Sequence, residues 1–194
     1  MKKHPLLSLL LMGLIVFSLT ACQVPSQTPT QPVTSQQPSQ TEATFPDIPD
    51  DQLYEKVYLE TLDLVFSYPN ERTALNQISA EQRVFYIVSI YDMEVLNGGL
   101  CQFFSNSSQT LAPELEECLE IVGAADHKAL FADFVQKNQI DLEDLSSFRT
   151  YSVEGFIQQT QRFDYDSFDA DFVELPPLWE YLLTYVRAHP EVFA

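Results

Sequence analysis

Glu94-Val95-Leu96-Asn97-Gly98-Gly99-Leu100-Cys101-Gln102-Phe103-Phe104-Ser105-Asn106 is the stretch on which the fold of this chain turns. The residues before it, Val84, Phe85, Ile87, Val88, Ile90, Tyr91, Val95 and Leu96, recur at helical spacing and cover most of a helix circumference. Apolar residues all round a helix mean burial on all sides. Asn97-Gly98-Gly99 is expected to stop that helix, because Asn and Gly accept the left-handed conformation that closes helix C-termini. The positive φ is expected at Gly98. A short helical turn should follow and carry Phe103 and Phe104 into the core.

Four polar residues, Glu94, Asn97, Gln102 and Asn106, sit in this bend. Polar groups beside a core need partners, since an unpaired one costs roughly 1–3 kcal/mol. One reading has them hydrogen-bonding across the bend and to freed backbone groups. The other has them line a small polar pocket beside the two phenylalanines. No His, Lys or Arg lies within the stretch to shift a carboxyl toward catalysis, so no catalytic residue is assigned.

The pattern Glu-x-x-Asn-Gly-Gly-x-x-Gln-Phe-Phe-x-Asn, at Glu94, Asn97, Gly98, Gly99, Gln102, Phe103, Phe104 and Asn106, resembles the signature of a bacterial domain family named after an acidic DNA-mimic protein. The similarity extends from about Leu53 to Phe193. It takes in the Ile121-Val122-Gly123-Ala124 turn and a closing helix around Leu178-Trp179-Glu180-Tyr181. The resemblance implies an all-α fold and, since the founding member dimerises, a homodimer. That founding member imitates DNA with surface carboxylates. Most members have no assigned activity.

The N-terminus adds an address. Lys2 and Lys3 precede an apolar run from Leu6 to Leu19, too short to span a bilayer as a helix. Leu19-Thr20-Ala21-Cys22 resembles a bacterial lipobox, in which the Cys receives a diacylglyceryl group and becomes the mature N-terminus. Residues 1–21 are then the signal peptide and Cys22 the lipidation site. Two acyl chains give stable anchoring where one would not. Residues 22–45 form the lipidated Cys and a tether of Gln, Pro, Ser and Thr that cannot bury a core. Its reach is roughly 70 Å when stretched and about 26 Å as a coil. The expected location is the cell envelope, outside the cytoplasm, on the outer membrane if the host has one.

The net charge is −18 over 194 residues. Losing the signal removes Lys2 and Lys3 but no acid, which leaves 8 basic and 28 acidic residues, or −20. Such a field repels nucleic acid and attracts basic proteins. Glu116, Glu117 and Glu120, followed by Asp164, Asp166, Asp169 and Asp171, are the candidate acidic surface. With Cys22 lipidated, Cys101 and Cys118 remain, either as two buried thiols or as one disulfide. His127 and His189 have no Cys or second His at ligand spacing, so no metal site is assigned. No phosphate-binding glycine loop or nucleophile motif is present, so no cofactor is assigned.

The rest of 46–194 reads as helices packed around the central one. An apolar face runs from Leu53 to Phe66 and ends at Tyr68-Pro69-Asn70. Ser79-Ala80-Glu81-Gln82 is a capping box that opens the central helix. Ser105 to Gln109 is expected as loop, then a helix to Gly123, another over about 126–138, an acidic connection over 140–148, and a helix over 152–162. Residues 163–175 interleave aromatics with acids and are expected as loop and short helix. The last helix starts after Pro176-Pro177 and ends at Pro190. The fold class is all-α, one domain of six or seven helices around a buried helix that ends in Asn-Gly-Gly.

The function expected is that of a membrane-anchored interaction module, with a basic protein as partner. Its alternatives are a small-ligand pocket or enzyme at the bend, and a structural envelope lipoprotein. Direct nucleic-acid binding is excluded by charge. Cytoplasmic DNA mimicry does not transfer to an exported chain.

Overall fold

Ser79 opens the central helix. Its hydroxyl accepts the Gln82 amide N–H at 3.1 Å, and the Gln82 side chain accepts the Ser79 N–H at 3.1 Å. The capping box is therefore made in both directions. The computed structural model describes residues 47–194. The expected signal peptide, the expected lipidation site Cys22 and the expected tether lie outside the described residues.

The helix so opened, α3, runs Ala80–Ser105, after α1 (Asp50–Phe66) and α2 (Glu71–Leu75). Nothing in it faces only water between Val84 and Asp92, all of which is buried. Its length and apolar content would let it cross a membrane, but most of it is covered by the domain itself. The bend lies where expected, with Gly98 and Gly99 leaving helical geometry. The helical turn expected after the bend runs on to Ser105. One detail differs: the positive φ is at Gly99 (78°), whereas Gly98 has φ −153°. Of the two glycines, Gly99 alone has the left-handed φ.

Around α3 pack α4 (Ala112–Ile121), α5 (Ala125–Lys137), α6 (Val153–Thr160), α7 (Tyr165–Glu174), α8 (Leu178–Ala188) and the short α9 (Pro190–Phe193). The described residues contain no strand. The fold is all-α, with two short helices, α2 and α9, beyond the seven expected. Asn70 caps α2, accepting the Thr73 N–H at 2.9 Å. Pro190 is the first residue of α9 rather than only a stop, since proline is preorganised for that position. Residues 107–111 form a 3-10 helix where loop was expected. Residues 165–174 form a regular helix, because Tyr165, Phe168 and Phe172 recur at helical spacing and all face inward. Gly123, at φ 82°, ends α4 as expected. The Ala124 N–H reaches Leu119 O and the Gly123 N–H reaches Glu120 O, which is a Schellman closure.

The core is aromatic. Tyr91 meets Phe103, Phe131 and Phe172 edge-on, at centroid distances of 5.2, 5.8 and 5.7 Å. Phe104 stacks on Phe148 at 4.8 Å. Edge and offset contacts of this kind add about 0.5–1.5 kcal/mol each beyond burial. Phe103 and Phe104 are both fully buried, so the segment after the bend is fastened into the centre of the domain.

Candidate functional site

The bend is built around one carboxylate. Glu94 is buried, on the last turn of α3 before Gly98. It accepts Gln102 Nε2 at 2.7 Å, Asn106 Nδ2 at 2.9 Å and Ser108 Oγ at 3.0 Å. Bonds to a charged acceptor are about twice as strong as neutral ones. Here three uncharged donors replace the water lost on burial. No cation takes part. The structure thus brings Glu94, Gln102 and Asn106 together, adds Ser108, which sequence reasoning missed, and leaves Asn97 out. Asn97 is exposed and its side chain makes no hydrogen bond. It stands on the solvent side of the last regular turn, so it has no buried backbone to satisfy.

The two glycines serve close approach. A Cβ on Gly98 would lie 2.1 Å from Gln102 Oε1. A Cβ on Gly99 would lie 2.1 Å from Asp169 Oδ2. Asp169, on α7, accepts the Leu100 N–H at 2.8 Å and so caps the segment that restarts after the bend. Burial pushes the Asp169 carboxyl up, and the Leu100 N–H pulls it partly back. This residue belongs to the frame of the bend, not to an acidic surface.

The other candidate acids divide similarly. Asp164 caps α7 by accepting the Ser167 N–H at 3.3 Å. Glu120 pairs with Lys128, whose ammonium holds the carboxyl below its ordinary range. Glu117, Asp166 and Asp171 are exposed, Glu116 is half-buried, and none of the four has an ion-pair partner among the described residues. The two groups stand on α4 and α7, both of which pack on α5. Cys101 and Cys118 are free and buried, not bridged. Cys101 Sγ faces Ser105 Oγ at 3.8 Å, and burial pushes the Cys118 thiol up to about 12, which makes it a poor nucleophile.

Two buried polar groups outside the bend were not singled out by sequence. Asp92 is 4 % exposed, and no donor among the described residues reaches its carboxyl. Burial pushes it up to about 7. Tyr91 OH beside it on α3 also lacks a partner among the described residues. His127 is buried against Phe172, and its Nε2–H donates to the Pro176 carbonyl at 2.8 Å. Burial lowers its pKa, which keeps the ring neutral. Among the described residues no group of His, Cys, Asp and Glu is arranged to hold a metal ion. A surface groove beside α6 is lined by Arg149, Tyr151, Ser152, Gly155, Gln159 and Arg162. Arg162 lies over Phe148 and Phe163, at 4.7 and 4.9 Å from their centroids.

An all-α domain whose main helix is broken at Asn-Gly-Gly and closed around a buried glutamate defines a class by its bend rather than by a catalytic centre. The chain belongs to the family described as DMP19-like protein, whose model matches residues 76–189. That span starts just before the capping box of α3 and ends at the close of α8. No curated protein and no solved structure matches the chain.

Proposed function

We propose that this protein is a lipid-anchored, extracytoplasmic interaction module whose acidic domain engages a basic protein. The observation that carries this reading is the mature charge of −20, with Glu116, Glu117, Asp166 and Asp171 free of ion pairs on the helices that carry them. A carboxylate paired with a cation of the fold, as Glu120 is, is less available to a partner than these four. The lipobox at Cys22 supports the location. It also separates the domain from cytoplasmic DNA-binding proteins, so a basic protein of the envelope is the consistent target. A field of this sign speeds encounter with such a partner and loses its effect as salt rises.

The test compares two variants of equal net charge. One neutralises Glu116, Glu117, Asp166 and Asp171 to Gln or Asn. The other neutralises Asp51, Glu55, Glu143 and Glu154, which are exposed acids elsewhere. Binding of an octa-arginine peptide is measured at low and high salt. The clustered variant is expected to bind about tenfold more weakly and with a flatter salt dependence, the scattered one about twofold more weakly. Equal losses in the two would mean an acidic coat without an acidic site.

The anchor has its own test. Cys22→Ala is expected to leave the protein unprocessed or released from the membrane fraction. A variant that stays membrane-bound with normal mobility on a gel would overturn the lipid-anchor reading.

A further inference from the structure

Where α1 ends and α2 begins, the chain folds over a small recess against α3. Its walls are Phe66, Tyr68, Pro69 and Tyr86, and its polar groups include Glu71 and Ser107. At about 320 Å³ it sits at the small end of the range for ligand cavities, which suits one side chain and not a cofactor. Phe66 is 72 % exposed, an unusual position for a phenylalanine next to a carboxylate. Glu71 is held from behind. Tyr86 OH donates to one of its oxygens at 2.7 Å, and Thr110 Oγ1 lies 3.1 Å from the other, its single proton shared with the Ser107 carbonyl at 2.9 Å. Each oxygen keeps a lone pair for a further donor. Among the described residues no Lys or Arg lines the recess, and no cation pairs with Glu71. One turn before Phe66, Asp63 adds a second exposed carboxylate.

The geometry points to this recess as the anchor site for an arginine side chain of a basic polypeptide partner. The proposal rests on the interaction-module reading above and names where that partner is gripped. A guanidinium is planar, stacks on an aromatic face and offers several N–H donors to a carboxylate. Phe66 and Tyr68 supply aromatic surface, and Glu71 supplies the acceptor. The charge of the whole domain favours the same ligand. The groove beside α6 has the opposite local charge, so the field of the domain works against an anion there. Through Thr110 the recess also adjoins the start of α4, the helix that carries Glu116 and Glu117.

The experiment uses octa-arginine and octa-lysine peptides, with binding read by fluorescence anisotropy on the full domain. Octa-arginine is expected to bind more tightly than octa-lysine. Phe66→Ser is expected to weaken octa-arginine binding about fivefold to tenfold at both low and high salt, and to narrow the preference for arginine. Glu71→Gln should weaken it by a similar factor. Leu59→Ser, which removes a different exposed apolar side chain from α1, should bind as the wild type does. Phe66 is mostly in solvent, so its variant should keep the wild-type melting curve. Unchanged octa-arginine binding in Phe66→Ser, alongside a loss in the clustered-acid variant, would overturn the recess and leave the interaction reading standing. Absence of binding to the wild-type domain at low salt would overturn both.

Discussion

Gly99→Val is expected to destabilise the domain by about 3–5 kcal/mol, more than Gly98→Val at the neighbouring position. Two costs combine at Gly99. The backbone has φ 78°, a region closed to β-branched residues, and the new Cβ would lie 2.1 Å from Asp169 Oδ2. Relieving the clash moves Asp169 away from the Leu100 N–H, so the cap on the restarted helix is lost as well. At Gly98 φ is negative, and the clash is with the end of the Gln102 side chain. Displacing Gln102 removes one of the three donors to Glu94, a loss of about 1–3 kcal/mol. Asn97→Ala should change stability by less than about 0.5 kcal/mol, because its side chain is exposed and unbonded. Urea unfolding checks the order. A double-mutant cycle of Gly99→Ala with Asp169→Ala should show strong coupling, since removing the carboxylate relieves the clash but not the φ penalty. Equal midpoints for the two valine variants would show that the left-handed residue is not Gly99.

Asp92→Asn is expected to reverse sign with pH. Burial raises the Asp92 carboxyl from an ordinary value of 3.8 to about 7 in the folded chain. The folded state therefore binds this proton more tightly than the unfolded state. Below about pH 4 the group is protonated in both states and costs nothing. As pH rises from about 4 to about 7 the unfolded state ionises and the folded one resists, so stability falls. Above about pH 7 the full cost is reached, about 4 kcal/mol. An asparagine cannot ionise, but its buried amide costs about 1–3 kcal/mol at every pH. The variant should thus be less stable than the wild type at pH 4 and more stable at pH 8, the difference between the two proteins swinging by about 4 kcal/mol. Chemical denaturation of both across that range is the measurement. A difference that stays constant would mean that Asp92 ionises normally inside the fold.

The sequence pattern was most legible where one signal acted alone. The Ser79–Gln82 capping box placed the start of α3 to the residue. Gly123 marked the end of α4 because only one glycine was available there. The bend was legible as a bend, but residue types do not say which of two adjacent glycines takes the left-handed conformation. That choice is made by Asp169, 69 residues beyond Leu100, whose carboxylate needs the space at Gly99 and the N–H of Leu100. The same long-range contact removes Asp169 from the acidic surface to which its neighbours assigned it. α7 was obscured by Phe163-Asp164-Tyr165-Asp166, which alternates like a strand before Phe168 and Phe172 set the helical period. Asp92 was passed over because a single acid in an apolar run looks like the solvent edge of a helix. Only packing on all sides shows that it has no edge.

The Glu94 knot contains no cation, and that has a consequence for how such a domain can change. Its strength comes from amide and hydroxyl donors held at short range, so dissolved ions that weaken surface attraction leave it intact. Skeleton and coat therefore answer to different conditions. Outer carboxylates can be added, lost or shuffled from one homologous chain to the next without disturbing the hinge beneath them. A chain built on this plan can change its outer carboxylates while keeping the same interior.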